Sequence, residues 1–177
     1  MTTSTILPLR ELQDTGKKAE DGRPLLGLRL NFHPGQLRAW DSTARFVCMF
    51  AGSQSGKTSY GPHWLDRELK TWLSKLAPGE PLGDALAVTS TYDLFSLKML
   101  PEMREVFERL LGIGRYWAGE RVIELCEGLQ PGGRFWAKQQ DDRMYGRIIL
   151  RSAQSPEGLE AATARCAWLD EVGQNEF

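Results

Sequence analysis

Residues 45–58 read Arg-Phe-Val-Cys-Met-Phe-Ala-Gly-Ser-Gln-Ser-Gly-Lys-Thr, and this stretch decides which fold the rest of the chain can adopt. The apolar run from Phe46 to Phe50 has strand length and no helical period, so it predicts a buried strand that feeds a loop. The loop closes with Gly-Lys-Thr at 56–58, as in the phosphate-binding pattern G-x-x-x-x-G-K-[ST]. Ala51 replaces the first glycine of that pattern; if its position required a positive φ, alanine would cost about 1 kcal/mol.

Each residue type in this loop suits the binding of a phosphate chain. An anion is wrapped by successive backbone N–H groups, here those of Gly52, Ser53, Gln54, Ser55 and Gly56, and by the positive end of the dipole of the following helix. Lys57 reaches the β and γ phosphates, and Thr58 offers a hydroxyl to Mg²⁺. The alternative is a chance Gly-Lys-Thr in a surface turn, but the strand pattern before it and the helical pattern after it favour nucleotide binding.

Composition and charge exclude several other classes. Lys plus Arg (22) nearly balances Asp plus Glu (23) in the 177 residues, so no global basic field indicates nucleic acid. The three cysteines, Cys48, Cys126 and Cys166, stand singly in apolar stretches and predict buried thiols in a reducing compartment. With two histidines, no signal peptide and no apolar run of membrane length, we expect an intracellular protein without a histidine metal site.

The order of patterns predicts an α/β fold with a mostly parallel sheet flanked by helices. Residues 1–24 are polar and rich in turn residues and predict a flexible arm, and residues 25–177 predict a single P-loop domain. An apolar stripe at helical spacing follows the loop, although Gly61-Pro62 predicts a kink or a late start of that helix. A buried strand is predicted at 85–90 and a further strand at 145–152, and a β-hairpin insertion is predicted from 121–127 and 134–138.

Two further positions carry candidate chemistry. Gln36 stands before the loop, and its side chain has both the donor and the acceptor that reading N6 and N7 of adenine requires. A surface residue that touches nothing is the equal alternative. Near the end of the chain, an apolar strand ends in Asp170 and Glu171; Asp170 would hold Mg²⁺ and Glu171 would polarise the attacking water.

Four motifs together resemble one family: Phe-His-Pro-Gly-Gln at 32–36, the loop at 51–58, Ser-Ala-Gln-Ser-Pro-Glu-Gly-Leu at 152–159 and Trp-Leu-Asp-Glu at 168–171. Over residues 25–177 the chain resembles the ATPase domain of the large terminase subunit of tailed bacteriophages. The resemblance implies a RecA-like ATPase fold of the additional-strand class, with ATP and Mg²⁺ as cofactors. It also implies a homo-oligomeric ring that pumps double-stranded viral DNA into a procapsid in the host cytoplasm, with the portal protein and the small terminase subunit as partners.

The resemblance assigns the site residue by residue. Gln36 would read adenine, Lys57 and Thr58 would hold phosphate and Mg²⁺, Asp170 would be the second Mg²⁺ ligand and Glu171 the catalytic base. Many members of the family carry an arginine in the loop, where Ser53 or Gln54 stands here, so a charge-stabilising arginine has to come from elsewhere. Arg143 and Arg147 are candidates from another subunit, and solvated arginines are the alternative.

The resemblance also predicts a coupling motif, a lid and a nuclease domain after Glu171, and these 177 residues carry none of them. We therefore expect an ATP-binding fragment that neither cuts DNA nor translocates it efficiently by itself. Two rivals remain, a superfamily 2 helicase ATPase half and a non-catalytic remnant of the nucleotide-binding fold. Against the helicase, Val172-Gly173 follows the acidic pair where Ala-Asp or Ala-His is usual; a GTPase would need an Asn-Lys-x-Asp motif, which is absent.

Overall fold

The structure, a computed structural model, describes residues 9–18, 22, 24–52, 55–154 and 163–171. The chain forms two compact units, residues 1–51 and residues 52–177. Within the described residues, no helix has the length and apolar character needed to cross a membrane.

The described part of the first unit contains a two-stranded antiparallel sheet and one short helix. Strand β1 (Arg10–Lys18) pairs with β2 (Pro24–Leu30) from Arg10 opposite Leu30 to Lys18 opposite Pro24. Residues 10–18 belong to the predicted flexible arm, yet they form a strand. Nearly all of β1 is exposed, so backbone pairing with β2 holds this strand. The sequence of an exposed strand has no apolar pattern from which the strand could be predicted. Helix α1 (Pro34–Trp40) follows.

The prediction of a buried strand at 46–50 is wrong. These residues form no strand, and the side chains of Phe46 and Phe50 are 80% and 95% exposed. Cys48, predicted to be a buried thiol, is exposed with them. An apolar run becomes a strand only where another strand satisfies its backbone groups, and none does so here among the described residues.

The second unit is built on a five-stranded sheet. Its strands are β3 (Gly83–Thr89), β4 (Gly114–Trp117), β5 (Val122–Leu125), β6 (Gly146–Ser152) and β7 (Ala164–Asp170), in the spatial order β4-β5-β6-β3-β7. Strand β3 is parallel to both β6 and β7, while β5 is antiparallel to both β4 and β6. Thus all described strands of this sheet except β5 run in one direction, and the predicted α/β fold with a mostly parallel sheet is confirmed.

Two long helical stretches pack on this sheet. Helix α2 (Lys57–Leu73) is continuous and contains Pro62, so of the two predicted alternatives, a kink or a late start, the late start does not occur. Helix α3 spans 92–110 and alternates between α-helical and π-helical turns in the segments Tyr92–Leu94, Phe95–Met99, Leu100–Arg104 and Glu105–Leu110. The core between helices and sheet includes Leu65, Leu69, Met103, Phe107, Ala85, Ala87, Ile148 and Leu150, all fully buried or nearly so. The predicted stripe on α2 is therefore confirmed as core packing.

The prediction of a β-hairpin between residues 121–127 and 134–138 is wrong. Strand β5 turns back on β4, whereas residues 134–138 form no strand. The backbone N–H groups there donate to carboxylates: Ala137 N donates to Glu124 Oε1 at 2.9 Å, and Lys138 N donates to Asp142 Oδ2 at 2.9 Å. Side-chain acceptors thus take the place of a strand ladder in this segment.

Candidate functional site

The phosphate-binding motif stands at the start of α2. Gly56 is the N-cap of the helix with φ 75°, a left-handed conformation that glycine adopts without a steric penalty. Gly56 brings no side chain to cap the helix, so the first turn presents backbone N–H groups and the positive end of the helix dipole towards the loop. Ala51 is not among the residues with positive φ, so the substitution of the first glycine brings no backbone strain.

Lys57 folds back over the loop that precedes it. Its Nζ donates to the carbonyl oxygen of Gly52 at 3.0 Å and to the hydroxyl of Ser55 at 3.3 Å. The ammonium group is therefore held over the loop in which phosphates are predicted to sit. Ser53 and Gln54 lie outside the described residues.

The two predicted halves of the site meet at the end of β7. The hydroxyl of Thr58, in the first turn of α2, donates to Asp170 Oδ2 at 2.8 Å across 112 positions of sequence. Asp170 is the last residue of β7 and is 7% exposed. The sequence predicts that the Gly-Lys-Thr loop and the acidic end of the last strand form one site. The structure brings the hydroxyl of Thr58 and the carboxylate of Asp170 into direct contact.

The surroundings of Asp170 shift the pKa of its carboxyl in opposite directions. Burial raises the pKa of this carboxyl above its usual 3.8, and the negative charge of Glu171 raises it further. The hydrogen bond from Thr58 and the positive charges of Lys57 and Lys98 lower the same pKa. A divalent cation beside Asp170 would favour its ionised form in the same way as the lysines do.

Glu171 follows β7 with a strained backbone. Its φ is 55°, a conformation that non-glycine residues adopt infrequently and at a cost. Strand β7 ends at Asp170, so the carboxylate of Asp170 belongs to the strand and that of Glu171 to the residue just beyond it. Strained backbone at the tip of a strand, beside a buried carboxylate, is typical of functional sites.

The residues present fit Mg²⁺. The structure describes no cluster of three or more His, Cys, Asp or Glu side chains that could hold a metal by themselves. Mg²⁺ in nucleotide sites needs no such cluster, because it binds one or two protein oxygens together with substrate phosphates and water. The hydroxyl of Thr58 and the carboxylate of Asp170 are hard oxygen ligands of that kind, 2.8 Å apart.

Sequence reasoning missed Lys98. This exposed residue lies in the π-helical segment Phe95–Met99 of α3, close enough to Asp170 for its charge to lower the pKa of that carboxyl. Helix α3 begins just after β3 ends at Thr89, and Thr89 is opposite Asp170 in the sheet. No motif marks such a lysine, since its proximity depends on the path of α3.

Gln36 lies in the first unit, and its role as an adenine reader stays a prediction. Its side chain is 3% exposed, so it is not the exposed helix residue that the sequence offers as the alternative. Its Oε1 accepts from His33 N at 3.1 Å, while His33 Nδ1 accepts from Gly35 N and Gln36 N, which makes a capping box at the start of α1.

The two candidate arginines lie near the amino ends of the parallel strands. Arg147 pairs with both carboxylate oxygens of Asp84, at 2.8 and 3.0 Å, near the start of β6. Arg143 precedes β6 and stacks on the ring of Trp136 at 5.5 Å from its centroid. Asp170 lies at the carboxyl ends of these strands, about 16 Å from the level of Arg147 along the strand direction, at about 3.3 Å per residue. Neither arginine serves the site of its own chain.

Comparison with known proteins shows a similarity at the level of the fold. No protein-family profile and no curated protein matches this chain. Among solved structures, it is similar to the ATPase domain of the large terminase of Thermus phage P74-26, solved as an arginine-to-alanine variant, with a TM-score of 0.53 and 19% identity. This chain shares the fold of a large terminase ATPase domain. The match covers 84% of this chain and 56% of the phage chain, so it spans little more than half of the large terminase ATPase domain chain.

Proposed function

We propose that this chain is the ATP-binding and ATP-hydrolysing motor domain of a bacteriophage large terminase subunit, which uses ATP to translocate double-stranded DNA into a procapsid. The observation that carries the proposal is the 2.8 Å contact between Thr58 and Asp170 beside Lys57. A hydroxyl after a phosphate-loop lysine and a carboxylate at the end of a parallel strand are the two protein ligands that a P-loop ATPase supplies to Mg²⁺.

The roles of the residues follow from their positions. Lys57 would exchange its bond to the Gly52 carbonyl for the β and γ phosphates of ATP, while Thr58 and Asp170 would hold the Mg²⁺ that neutralises charge on those phosphates. Glu171, the residue directly after β7, would orient and polarise the attacking water. Lys98 adds a second positive charge on the side of α3.

The partners belong to the proposal as well. A motor of this class would act in the host cytoplasm as a ring, on double-stranded viral DNA, with the portal protein and the small terminase subunit. With 22 basic and 23 acidic side chains the chain has no global basic field, so contact with DNA would be local.

Release of phosphate from ATP tests the proposal against a non-catalytic remnant. The wild type is expected to hydrolyse ATP, and Lys57→Ala and Glu171→Gln are each expected to reduce turnover by about a hundredfold or more. Lys138→Ala is the matched control. Lys138 is exposed and follows Ala137, which is hydrogen-bonded to Arg115 of β4 and to Glu124 of β5, and these two strands are separated from β7 by β6 and β3. Equal turnover in the wild type and Lys57→Ala would refute the proposal.

A further inference from the structure

The interface between α2 and β7 contains a second pair of residues besides Thr58 and Asp170. Gly61 lies three positions after Thr58 on α2, and Trp168 lies two positions before Asp170 on β7. Residues i and i+3 of a helix lie on one side, and residues i and i+2 of a strand lie on one face. Both pairs therefore belong to the same helix–strand interface.

The second pair is packed without spare room. A Cβ atom at Gly61 would overlap the indole atoms Cδ2, Cε2 and Cζ2 of Trp168. Gly61 is buried, and Trp168 is 9% exposed and belongs to the hydrophobic core. The indole ring thus lies directly against the backbone of α2, and its thickness sets the separation of this helix from β7.

The turn of α2 that carries Thr58 depends on this packing more than an ordinary helical turn would. Pro62 follows Gly61 within the helix and has no N–H, so the carbonyl of Thr58 receives no helical hydrogen bond from position 62. The contact of Gly61 with Trp168 and the hydrogen bond from Thr58 to Asp170 hold this turn against the strand.

We infer that Gly61 and Trp168 are positioning residues, which set the distance between Thr58 and Asp170 and thereby the affinity of the site for Mg²⁺. The inference rests on the proposed function. Mg²⁺ requires near-ideal octahedral geometry with short metal–oxygen bonds, so a small displacement of one ligand weakens its binding. A methyl group at position 61 would push α2 off β7 and separate the hydroxyl from the carboxylate, while Lys57 and the loop would move together with the helix.

The test measures how much Mg²⁺ tightens the binding of a fluorescent ATP analogue, compared with EDTA. The wild type is expected to gain about tenfold or more in affinity from Mg²⁺, and Gly61→Ala is expected to gain less than about threefold. Binding in EDTA should change by less than about twofold, because phosphate contacts through Lys57 remain. Adding Trp168→Leu to Gly61→Ala removes the ring atoms that the new methyl meets and should recover part of the gain from Mg²⁺.

Trp136→Leu is the matched control for a general loss of packing. Trp136 is another tryptophan of the same unit that lies outside both α2 and β7 and is partly buried against the same core. Its replacement should lower the melting temperature and leave the gain from Mg²⁺ unchanged. If Gly61→Ala fails to fold by circular dichroism, Trp168→Leu alone decides, since loss of the spacer should also reduce the gain.

Two results would overturn the inference and are distinguishable from each other. A folded Gly61→Ala variant, or Trp168→Leu, that keeps the full gain from Mg²⁺ would overturn the positioning role and leave the proposed function intact. A wild type that binds no ATP analogue under either condition would overturn the proposed function, and the positioning role with it.

Discussion

Glu171 occupies a backbone conformation that glycine would occupy more easily. At φ 55°, its Cβ crowds the following carbonyl oxygen, which costs an L-residue about 1 kcal/mol or more. The residue stands next to the buried Asp170, where charge is already concentrated. Under the proposed function, polarising the attacking water would be the role that compensates for this strain.

Comparison of Glu171→Gly with Glu171→Ala isolates this strain, because both variants lack the carboxylate. Glu171→Gly is expected to be more stable than Glu171→Ala by about 1 kcal/mol, since glycine relieves the left-handed conformation. Urea denaturation of the two variants measures the difference. Equal stabilities, or a more stable alanine variant, would show that position 171 is not strained in solution.

The raised pKa of Asp170 makes stability depend on pH. Because burial raises this pKa above 3.8, the folded state keeps the proton at pH values where the unfolded state has lost it. The resulting stabilisation is complete below the unfolded pKa and is lost as pH rises through the folded pKa. Asp170→Asn cannot ionise, so it should gain stability relative to the wild type as pH rises from about 4 to about 8.

Thermal unfolding in EDTA across that pH range measures the effect, because a bound cation would lower the pKa again. Thr58→Val removes the donor to Asp170 but keeps the carboxyl, and so it should retain a dependence on pH. A constant difference between Asp170→Asn and the wild type at every pH would contradict the burial of an ionisable carboxyl at this position.

Residues that belong to motifs were predictable, and residues that act through packing were not. Lys57, Thr58, Asp170 and Glu171 are revealed by the order of a glycine-rich loop and an acidic strand end. In the sequence, Gly61 indicates only a possible irregularity of the helix next to Pro62. Its contact with Trp168 is not predictable, because it depends on how closely α2 approaches β7.

Among the elements, the β4–β5 hairpin is held by an internal carboxylate. Glu124 is fully buried and accepts from Arg115 at 2.7 Å, from Trp117 Nε1 at 2.9 Å and from the backbone N–H of Ala137 at 2.9 Å. Arg115 also lies over the rings of Trp117 and Phe135. One side chain therefore ties two strands to the irregular segment that follows them.

Glu124→Ala is expected to destabilise the protein by about 3 kcal/mol, because it leaves buried N–H donors without an acceptor. Glu127→Ala is the matched control: Glu127 also accepts from an arginine, Arg134, and from a tryptophan Nε1, that of Trp136, but its side chain is 39% exposed. Its loss should have a much smaller effect, since water can replace it. Similar denaturation midpoints for the two variants would contradict the structural role of Glu124.

At this scale the sequence predicts strands better than it predicts their partners. The sequence predicts strands at 85–90 and 145–152, and β3 and β6 occupy nearly those positions. Residues 46–50 have equally strong strand character and form none, while β1 has little apolar character and pairs with β2. Local composition reports the propensity of a segment, whereas a ladder requires a second segment in register.

Over the whole molecule, large apolar side chains remain exposed. Phe46 is 80% exposed and Phe50 is 95% exposed on one unit, and Leu169 of β7 is 57% exposed on the other. Exposed aromatic side chains in one short segment favour association with another surface, since burying them removes apolar area from water.

The double variant Phe46→Ser/Phe50→Ser is therefore expected to associate less than the wild type. Light scattering across a concentration series should place its midpoint of self-association at about tenfold higher concentration or beyond. Leu12→Ser, at another exposed apolar position of the first unit, is the control and should have little effect. An unchanged midpoint in the double variant would show that residues 46–50 do not mediate self-association.

We propose above all that a nucleoside triphosphate and Mg²⁺ bind between the start of α2 and the end of β7. Calorimetric titration of the whole chain with a non-hydrolysable ATP analogue tests it most directly. We predict saturable binding at one site, weakened about tenfold or more by EDTA and abolished in Lys57→Ala. Absence of binding to the wild type, or equal binding to Lys57→Ala, would contradict the claim.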